Sequence, residues 1–230
     1  MRSRRFIVLC IFLGIAVAGL LLWRNYLSRS QHPEHPALAI DKQPIAFASH
    51  TFDPNSPPAD MPPLAYGEEA LCDSNFSSNT RVGGESQKTD ATHATVTITR
   101  VTTTLQLSIN IWVPAGVTQH VVEHEDGHRQ ISEYYYQTAD KLAERVAAPY
   151  LGKQIDITGP DLDAQLEKIL RQTANEITSE YDKRLGVAAT QQYYDAITDH
   201  GRNETSVKDA IAAAVENTKI ALMEPPPALK

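Results

Sequence analysis

The chain has 230 residues, which is enough for one sizeable domain with additional segments. Residues 1–30 hold five of the 21 basic residues and none of the 28 acidic residues. Residues 31–230 therefore have 16 basic against 28 acidic residues, a net charge of −12. Because a body this acidic repels phosphate backbones and anionic lipid headgroups, we discount nucleic acids as partners.

An apolar segment near the N-terminus predicts an N-terminal transmembrane helix. Residues 6–23 form an unbroken apolar run of 18 residues, which follows three arginines. This length suffices for a tilted membrane helix, and the basic flank predicts a cytoplasmic N-terminus with the body outside the cytoplasm. Secretion after signal cleavage near Ala18 is the alternative. Because the apolar run continues beyond that site, we favour a signal anchor in residues 1–28.

The composition predicts where the folded domain begins and ends. Residues 29–65 contain eight of the fourteen prolines, which is typical of an extended, semi-rigid linker. Three consecutive prolines stop the last helical pattern and begin a short tail at residues 224–230. The folded domain is therefore expected in residues 66–223.

The order of the predicted elements indicates an α+β domain in which a small antiparallel sheet precedes a helical half. Two stretches alternate between apolar and polar residues, and Thr102, Thr103 and Thr104 are expected to turn a hairpin between them. Helical periodicity follows, with Pro160 and Asp161 at the start of one helix and Gly186 at its end. The predicted strands cover 94–101 and 105–113, and the predicted helical stretches cover 117–148, 161–185, 188–199 and 205–223.

The first helical stretch contains the pattern H-E-x-x-H, from His124 to His128. Residues four apart lie on the same face of a helix, so the two imidazoles can bind one zinc ion with bonds of about 2 Å. Glu125 is rotated around the helix, where its carboxylate can take a proton from a water molecule at the metal. His120 lies eight residues from His128, about 12 Å along a helix. It is therefore no ligand for the same ion. We expect it beside a ligand, near the entrance of the site, or in a place unrelated to the metal.

A catalytic zinc ion needs a third protein ligand, and the residues leave two candidates open. The continuation that follows H-E-x-x-H in metzincins is absent after His128. Glu176 lies on the second predicted helix, in a segment that looks loosely like the one that supplies a glutamate in thermolysin-like enzymes. His200 lies at a helix end beside Gly201.

The chain resembles a family of predicted secreted bacterial zinc-dependent proteases, a domain of unknown function with the motifs H-E-x-G-H and Y-D-x-x-T-x-H-G. The segments that carry the resemblance are Trp112 to Pro114, His124 to His128, and Tyr194 to Gly201. The resemblance implies a zincin-like fold, one zinc ion per chain, and His200 as the third ligand beside His124 and His128. It also implies a bacterial envelope location, with a single pass through the inner membrane and the C-terminal domain in the periplasm or outside the cell.

Together these features predict a membrane-anchored, extracytoplasmic zinc peptidase that acts on a peptide or protein substrate, with Glu125 as general base. Tyr194 and Arg202 are candidates to stabilise the oxyanion, and Asp195 is a candidate to hold the outer nitrogen of a ligand histidine. Strand 105–113 is a candidate for the sheet edge that aligns the substrate. The alternatives are a zinc-binding envelope protein without catalysis and a structural interaction module.

Overall fold

The computed structural model describes residues 37–64 and 67–223. Strands dominate the first part of the domain, and helices dominate the second. The strands are β1 (Ala37–Lys42), β2 (Ala46–Phe52), β3 (Leu71–Lys88), β4 (His93–Pro114) and β5 (Gln154–Thr158). The helices are α1 (Gln119–Gln137), α2 (Ala139–Ala147), α3 (Leu162–Leu185), α4 (Val187–Thr198) and α5 (Val207–Met223), with a 3-10 turn at Ala148–Tyr150. These elements confirm the α+β class.

The sheet is built around β4, which pairs with every other strand. On one side, β3 runs antiparallel to β4 along nearly its whole length. On the other side, β5, β1 and β2 follow one another along β4, with β5 antiparallel and the other two parallel. The prediction of an antiparallel sheet is therefore wrong for two of the four pairings, and the sheet is mixed.

The predicted hairpin at Thr102–Thr104 does not form, because β4 continues straight through it. Thr103 is 1% exposed, and its hydroxyl lies 3.0 Å from the Thr80 hydroxyl on β3. Val101, Thr103 and Leu105 all face the core, so the alternation runs through the threonines without a break. The change of phase lies earlier, between Ile98 and Val101, where the register with β3 shifts. Threonine is a good strand former, and nothing in this tripeptide reverses the chain.

The predicted linker is shorter than expected, because β1 and β2 both lie inside residues 29–65. Leu38 and Ile40 pack against the main core, and Phe52 is 4% exposed. Pro44 lies between the two strands, where it removes no hydrogen bond from the sheet. The folded domain therefore begins at or before Ala37, and residue 66 is not its boundary.

The helices agree closely with their predicted positions. The Asp161 carboxylate accepts a hydrogen bond from the Ala164 amide at 3.0 Å and caps α3, which ends at Gly186 with φ of 76°. The long helix predicted over 117–148 is divided at Thr138 into α1 and α2. The predicted membrane helix and the C-terminal tail lie outside the described residues. Within the described residues, no helix is long and apolar enough to cross a membrane.

Two apolar clusters hold the helices in place. The larger one lies between the inner face of the sheet and α1, α2 and α3. The smaller one joins three helices through Ile131 on α1, Tyr194 on α4, and Ala210 and Ala214 on α5. Because this second cluster packs α4 directly against α1, it brings two distant parts of the chain, 124–128 and 191–198, side by side.

Strand β3 forms an edge of the sheet in the described part of the chain, where it pairs only with β4. The register shifts between Gly83 and Gly84, where Thr99 of β4 has no partner on β3, an irregularity of the kind that locally bends and twists a strand pair. Residues 105–113, the predicted substrate-aligning edge, instead belong to the central strand and are paired on both sides. That prediction is wrong, and the edge nearest to α1 is β3.

Candidate metal centre

The two histidines of the H-E-x-x-H pattern lie together on α1, as predicted. Their Nε2 atoms are 3.2 Å apart, and the two rings are nearly perpendicular. The side chains of His124 and His128 are 8% and 13% exposed. Two imidazole nitrogens that converge in a nearly buried place are suited to bind one cation.

Asp195, on the facing side of α4, completes a group of three donor atoms. Its Oδ1 atom lies 2.9 Å from Nε2 of His128 and 3.5 Å from Nε2 of His124. Donors around a tetrahedral zinc ion with bonds of about 2.0–2.1 Å are about 3.3 Å apart. The three separations of 2.9, 3.2 and 3.5 Å bracket that value. The residues therefore fit a metal ion without rearrangement.

The third donor differs from the predicted one. The donor atoms that lie within 4.8 Å of one another come from His124, His128 and Asp195, and this group does not contain His200. Nδ1 of His200 lies 4.0 Å from Oδ1 of Asp195, and the His200 side chain is 47% exposed. Asp195 was predicted to orient a ligand histidine, and the structure instead aims its carboxylate at the inner nitrogens of both.

The backbone conformation after α4 explains why the third donor comes from Asp195 and not from His200. Asp199, His200 and Gly201 have φ values of 49°, 53° and 73°, so three consecutive residues are left-handed. This is costly for the two residues that are not glycine, and such strain is concentrated at functional sites. The turn keeps the backbone near the centre, where the His200 amide donates to the Asp195 carbonyl at 2.9 Å. It leaves the His200 side chain at the rim.

The outer nitrogens of the two histidines have their own partners on α4. Nδ1 of His128 forms a hydrogen bond with Oε1 of Gln191, and Nδ1 of His124 lies 3.4 Å from the Thr198 hydroxyl. Sequence reasoning missed both residues. Gln191, Asp195 and Thr198 are spaced by four and three residues, which places them on one face of a helix. That spacing is the signal that would have found them.

Tyr194 supports the two histidines from behind and is fully buried. Its ring stacks on the His124 ring with centroids 5.0 Å apart, and its hydroxyl donates to the His124 carbonyl at 3.3 Å. Tyr194 was predicted as a candidate to stabilise the oxyanion, but its hydroxyl faces α1 and is not available for that role.

Two glycines allow these close contacts. A Cβ atom on Gly127 would overlap the hydroxyl and the ring of Tyr194. A Cβ atom on Gly201 would lie 2.8 Å from Cγ of His124. Each glycine therefore allows the other motif to approach. Gly127, in H-E-x-G-H, leaves room for Tyr194, and Gly201, in H-G, leaves room for His124.

Glu125 lies beside the donor group and is 6% exposed. Burial raises the pKa of its carboxyl to about 7, while nearby His128 and a hydrogen bond from the backbone of Cys72 lower it in part. Burial also opposes ionisation of Asp195, but hydrogen bonds with His124 and His128 outweigh it and lower the pKa of the Asp195 carboxyl. The site therefore holds one carboxylate that stays charged and one that exchanges a proton near neutral pH.

An open cavity of about 410 Å³ leads to these groups. His120, His200 and Arg202 line it, together with the first residues of β3. Nε2 of His120 is buried and has no hydrogen-bond partner among the residues that the structure describes. The Arg202 guanidinium donates to the Gly67 carbonyl at 3.1 Å. Glu176, the other candidate ligand, does not line the cavity, and its side chain instead forms a hydrogen bond with Tyr150.

Comparisons of the chain with protein-family models, curated proteins and solved structures gave no match. The family resemblance carried by the two motifs therefore stays a prediction. A function for the chain can be inferred only from the geometry of the metal centre and its cavity.

Proposed function

We propose that the chain is a zinc-dependent peptidase whose metal ion is held by His124, His128 and Asp195. The observation that carries this proposal is the convergence of three donor atoms at metal-ligand spacing beside a buried glutamate. Two imidazoles and one carboxylate form a ligand set typical of catalytic zinc, which leaves one coordination position open. Zinc, when bound, supplies a Lewis acid that lowers the pKa of a water molecule and polarises a carbonyl.

Glu125 then serves as the proton carrier of peptide hydrolysis. Its carboxylate accepts a proton from the attacking water molecule, whose oxygen forms a bond to the carbonyl carbon of the substrate. The C–N bond breaks as Glu125 returns the proton to the leaving amine. The Cys72 backbone holds the carboxylate in place during both transfers. His200 and Arg202 line the cavity and are candidate hydrogen-bond donors to the developing oxyanion.

The substrate is proposed to be an extended peptide. Leu71, Cys72 and Ser74, at the start of β3, line the cavity and belong to an edge strand. An open strand edge recognises a peptide main chain through hydrogen bonds that do not depend on its sequence. The predicted membrane anchor and extracytoplasmic location belong to the same proposal, on the basis of residues 6–23.

Metal analysis of the purified full-length chain tests the ligand set. We expect about one zinc ion per chain in the wild type and in His200→Ala, and its loss in His124→Ala and Asp195→Ala. Retention of zinc in Asp195→Ala together with loss in His200→Ala would restore His200 as the third ligand. Absence of zinc from the wild type, even after incubation with zinc, would refute the metal centre.

Digestion of an unfolded protein tests the reaction. We expect cleavage by the wild type and a loss of at least about 10²-fold in Glu125→Gln, in line with removal of a general base. Glu123→Gln is the matched control, because Glu123 lies exposed on the same helix and bonds only to Gln119 in the described structure. A wild type that holds zinc but cleaves nothing would indicate a zinc-binding protein without catalysis.

A further inference from the structure

A hydrogen-bond network behind His128 determines how that ring can bind a cation. The side-chain amide of Gln191 contacts three groups on α1. Its Nε2 atom donates to the His128 carbonyl at 3.0 Å and to the Ser132 hydroxyl at 3.0 Å. Its Oε1 atom faces Nδ1 of His128. The Ser132 hydroxyl is itself fully buried and donates onward to Ser74 on β3 at 2.9 Å.

The orientation of the Gln191 amide follows from the chemistry of its partners. A backbone carbonyl only accepts hydrogen bonds, so the amide group next to the His128 carbonyl has to be the NH₂. The carbonyl oxygen of the amide then points to the ring. An amide oxygen also only accepts, so the ring nitrogen that faces it has to carry a hydrogen. The flipped amide would set two oxygens against each other at about 3 Å.

We infer that Gln191 is a positioning residue that keeps a hydrogen on Nδ1 of His128 and thereby leaves Nε2 free to bind the metal ion. In the neutral Nδ1–H tautomer, the lone pair of Nε2 points to His124 and Asp195, where a metal ion would accept it. In the metal-free chain the Asp195 carboxylate lies 2.9 Å from Nε2 and favours a hydrogen on that nitrogen, so it competes with Gln191 for the choice of tautomer. The opposite tautomer would place the Nδ1 lone pair against Oε1 of Gln191 and block Nε2 with a hydrogen. The inference rests on the proposed metal centre, and it holds whether or not the chain cleaves peptides.

The tautomer is measured directly in the metal-free full-length chain that carries Asp195→Ala, which removes the acceptor facing Nε2 of His128. Long-range ¹H–¹⁵N spectra of ¹⁵N-histidine-labelled protein distinguish the two neutral forms, and His128→Asn identifies the signals of His128. At a pH where the ring is neutral, we expect the Nδ1–H form in this variant and after the further change Gln191→Glu, whose carboxylate also accepts. We expect a shift towards the Nε2–H form after the further change Gln191→Leu. The Nε2–H form in the Asp195→Ala chain that keeps Gln191 would overturn the inference.

Zinc affinity, measured by competition with a chromophoric chelator, gives a second readout. We expect Gln191→Leu to bind zinc about 10–100-fold more weakly than the wild type, as is typical when the outer partner of a ligand histidine is removed. Gln191→Glu should bind close to wild type while unfolding at a lower temperature, because it cannot donate to the His128 carbonyl. Gln192→Leu, an exposed neighbour on the same helix, should change neither quantity.

The outcomes separate this inference from the proposed function. Unchanged zinc affinity in a folded Gln191→Leu would overturn the inference about Gln191 even if the chain is a peptidase. Loss of affinity with the expected tautomer shift would support it even if no substrate is cleaved. If Gln191→Leu does not fold, the tautomer in the Asp195→Ala chain and the behaviour of Gln191→Glu still decide.

Discussion

At the scale of single residues, Gly127 and Tyr194 form a pair in which the missing side chain of one makes room for the ring of the other. The fourth position of H-E-x-G-H lies against the phenol of Tyr194, which stacks on one histidine and meets the other edge-on. A side chain at residue 127 would push α4 away from α1. Since Asp195 follows Tyr194 on α4, the distance from its carboxylate to the histidines depends on this glycine.

Gly127→Ala should therefore destabilise the protein, although alanine is the better helix former by about 1 kcal/mol. Overpacking costs about 1–3 kcal/mol, and the gain in helix propensity offsets only part of it. Chemical denaturation of the metal-free chain measures the net change. Gly83→Ala is the control, because its Cβ would lie 3.4 Å from Cβ of Arg100, an ordinary contact.

Tyr194→Phe identifies the cause of the Gly127→Ala effect. Removal of the hydroxyl relieves part of the overlap, so the double variant should lose less stability than the two single variants together. Additive losses would show that the clash lies elsewhere.

The sequence could predict the residues whose roles follow from local spacing. His124, Glu125 and His128 are set by one helix, and the structure places them as expected. The third donor could not be predicted in this way, because Asp195 and His200 lie within five residues of each other. Which of them faces the histidines depends on the left-handed turn at residues 199–201, and no periodicity in the sequence describes that turn.

At the scale of elements, the strands differ from the helices in how well the sequence predicts them. Helix α3 has its cap, its apolar face and its final glycine within one continuous segment. Strands β1 and β2 are short and lie among prolines, and they are strands because β4 pairs with them from some 60 residues away. The prediction of a linker was based on the proline content of residues 29–65 as a whole, and such an average does not detect two short strands within the segment.

A chain that begins at residue 66 should therefore be far less stable than one that begins at residue 36. It would expose the side of β4 from Arg100 to Pro114 and lose the burial of Phe52, which alone is worth about 1.5–3 kcal/mol. Thermal unfolding and soluble yield of the two chains measure the difference. Equal melting temperatures would show that β1 and β2 contribute nothing to the fold.

At the scale of the whole molecule, the metal centre joins two parts of the chain that the fold already holds side by side. His124 and His128 come from α1, and Asp195 comes from α4, after α2, β5 and α3 have intervened. A metal ion at this place would bind only the folded chain. Binding energy therefore adds to the free energy of unfolding.

Zinc at 100 times its dissociation constant should stabilise the wild type by about 2.7 kcal/mol. For a chain of this size, that corresponds to an increase in melting temperature of roughly 5–10 °C. A chelator should reverse the increase, and Asp195→Ala should lack it. Calorimetry with and without zinc tests this, and an equal increase in Asp195→Ala would remove the carboxylate from the ligand set.

The edge strand β3 has a consequence for the behaviour of the protein in concentrated solution. An 18-residue strand with one open side is a template on which a second copy can add its own strand and begin an aggregate. The register shift at Gly83 and Gly84 divides that template, and Arg81, Glu85 and Lys88 place charges around it. Residues 71–83, before the shift, keep a regular register with β4, and the cavity lies at their start. The irregularity thus limits the unbroken open edge to the part of the strand that begins at the candidate metal centre.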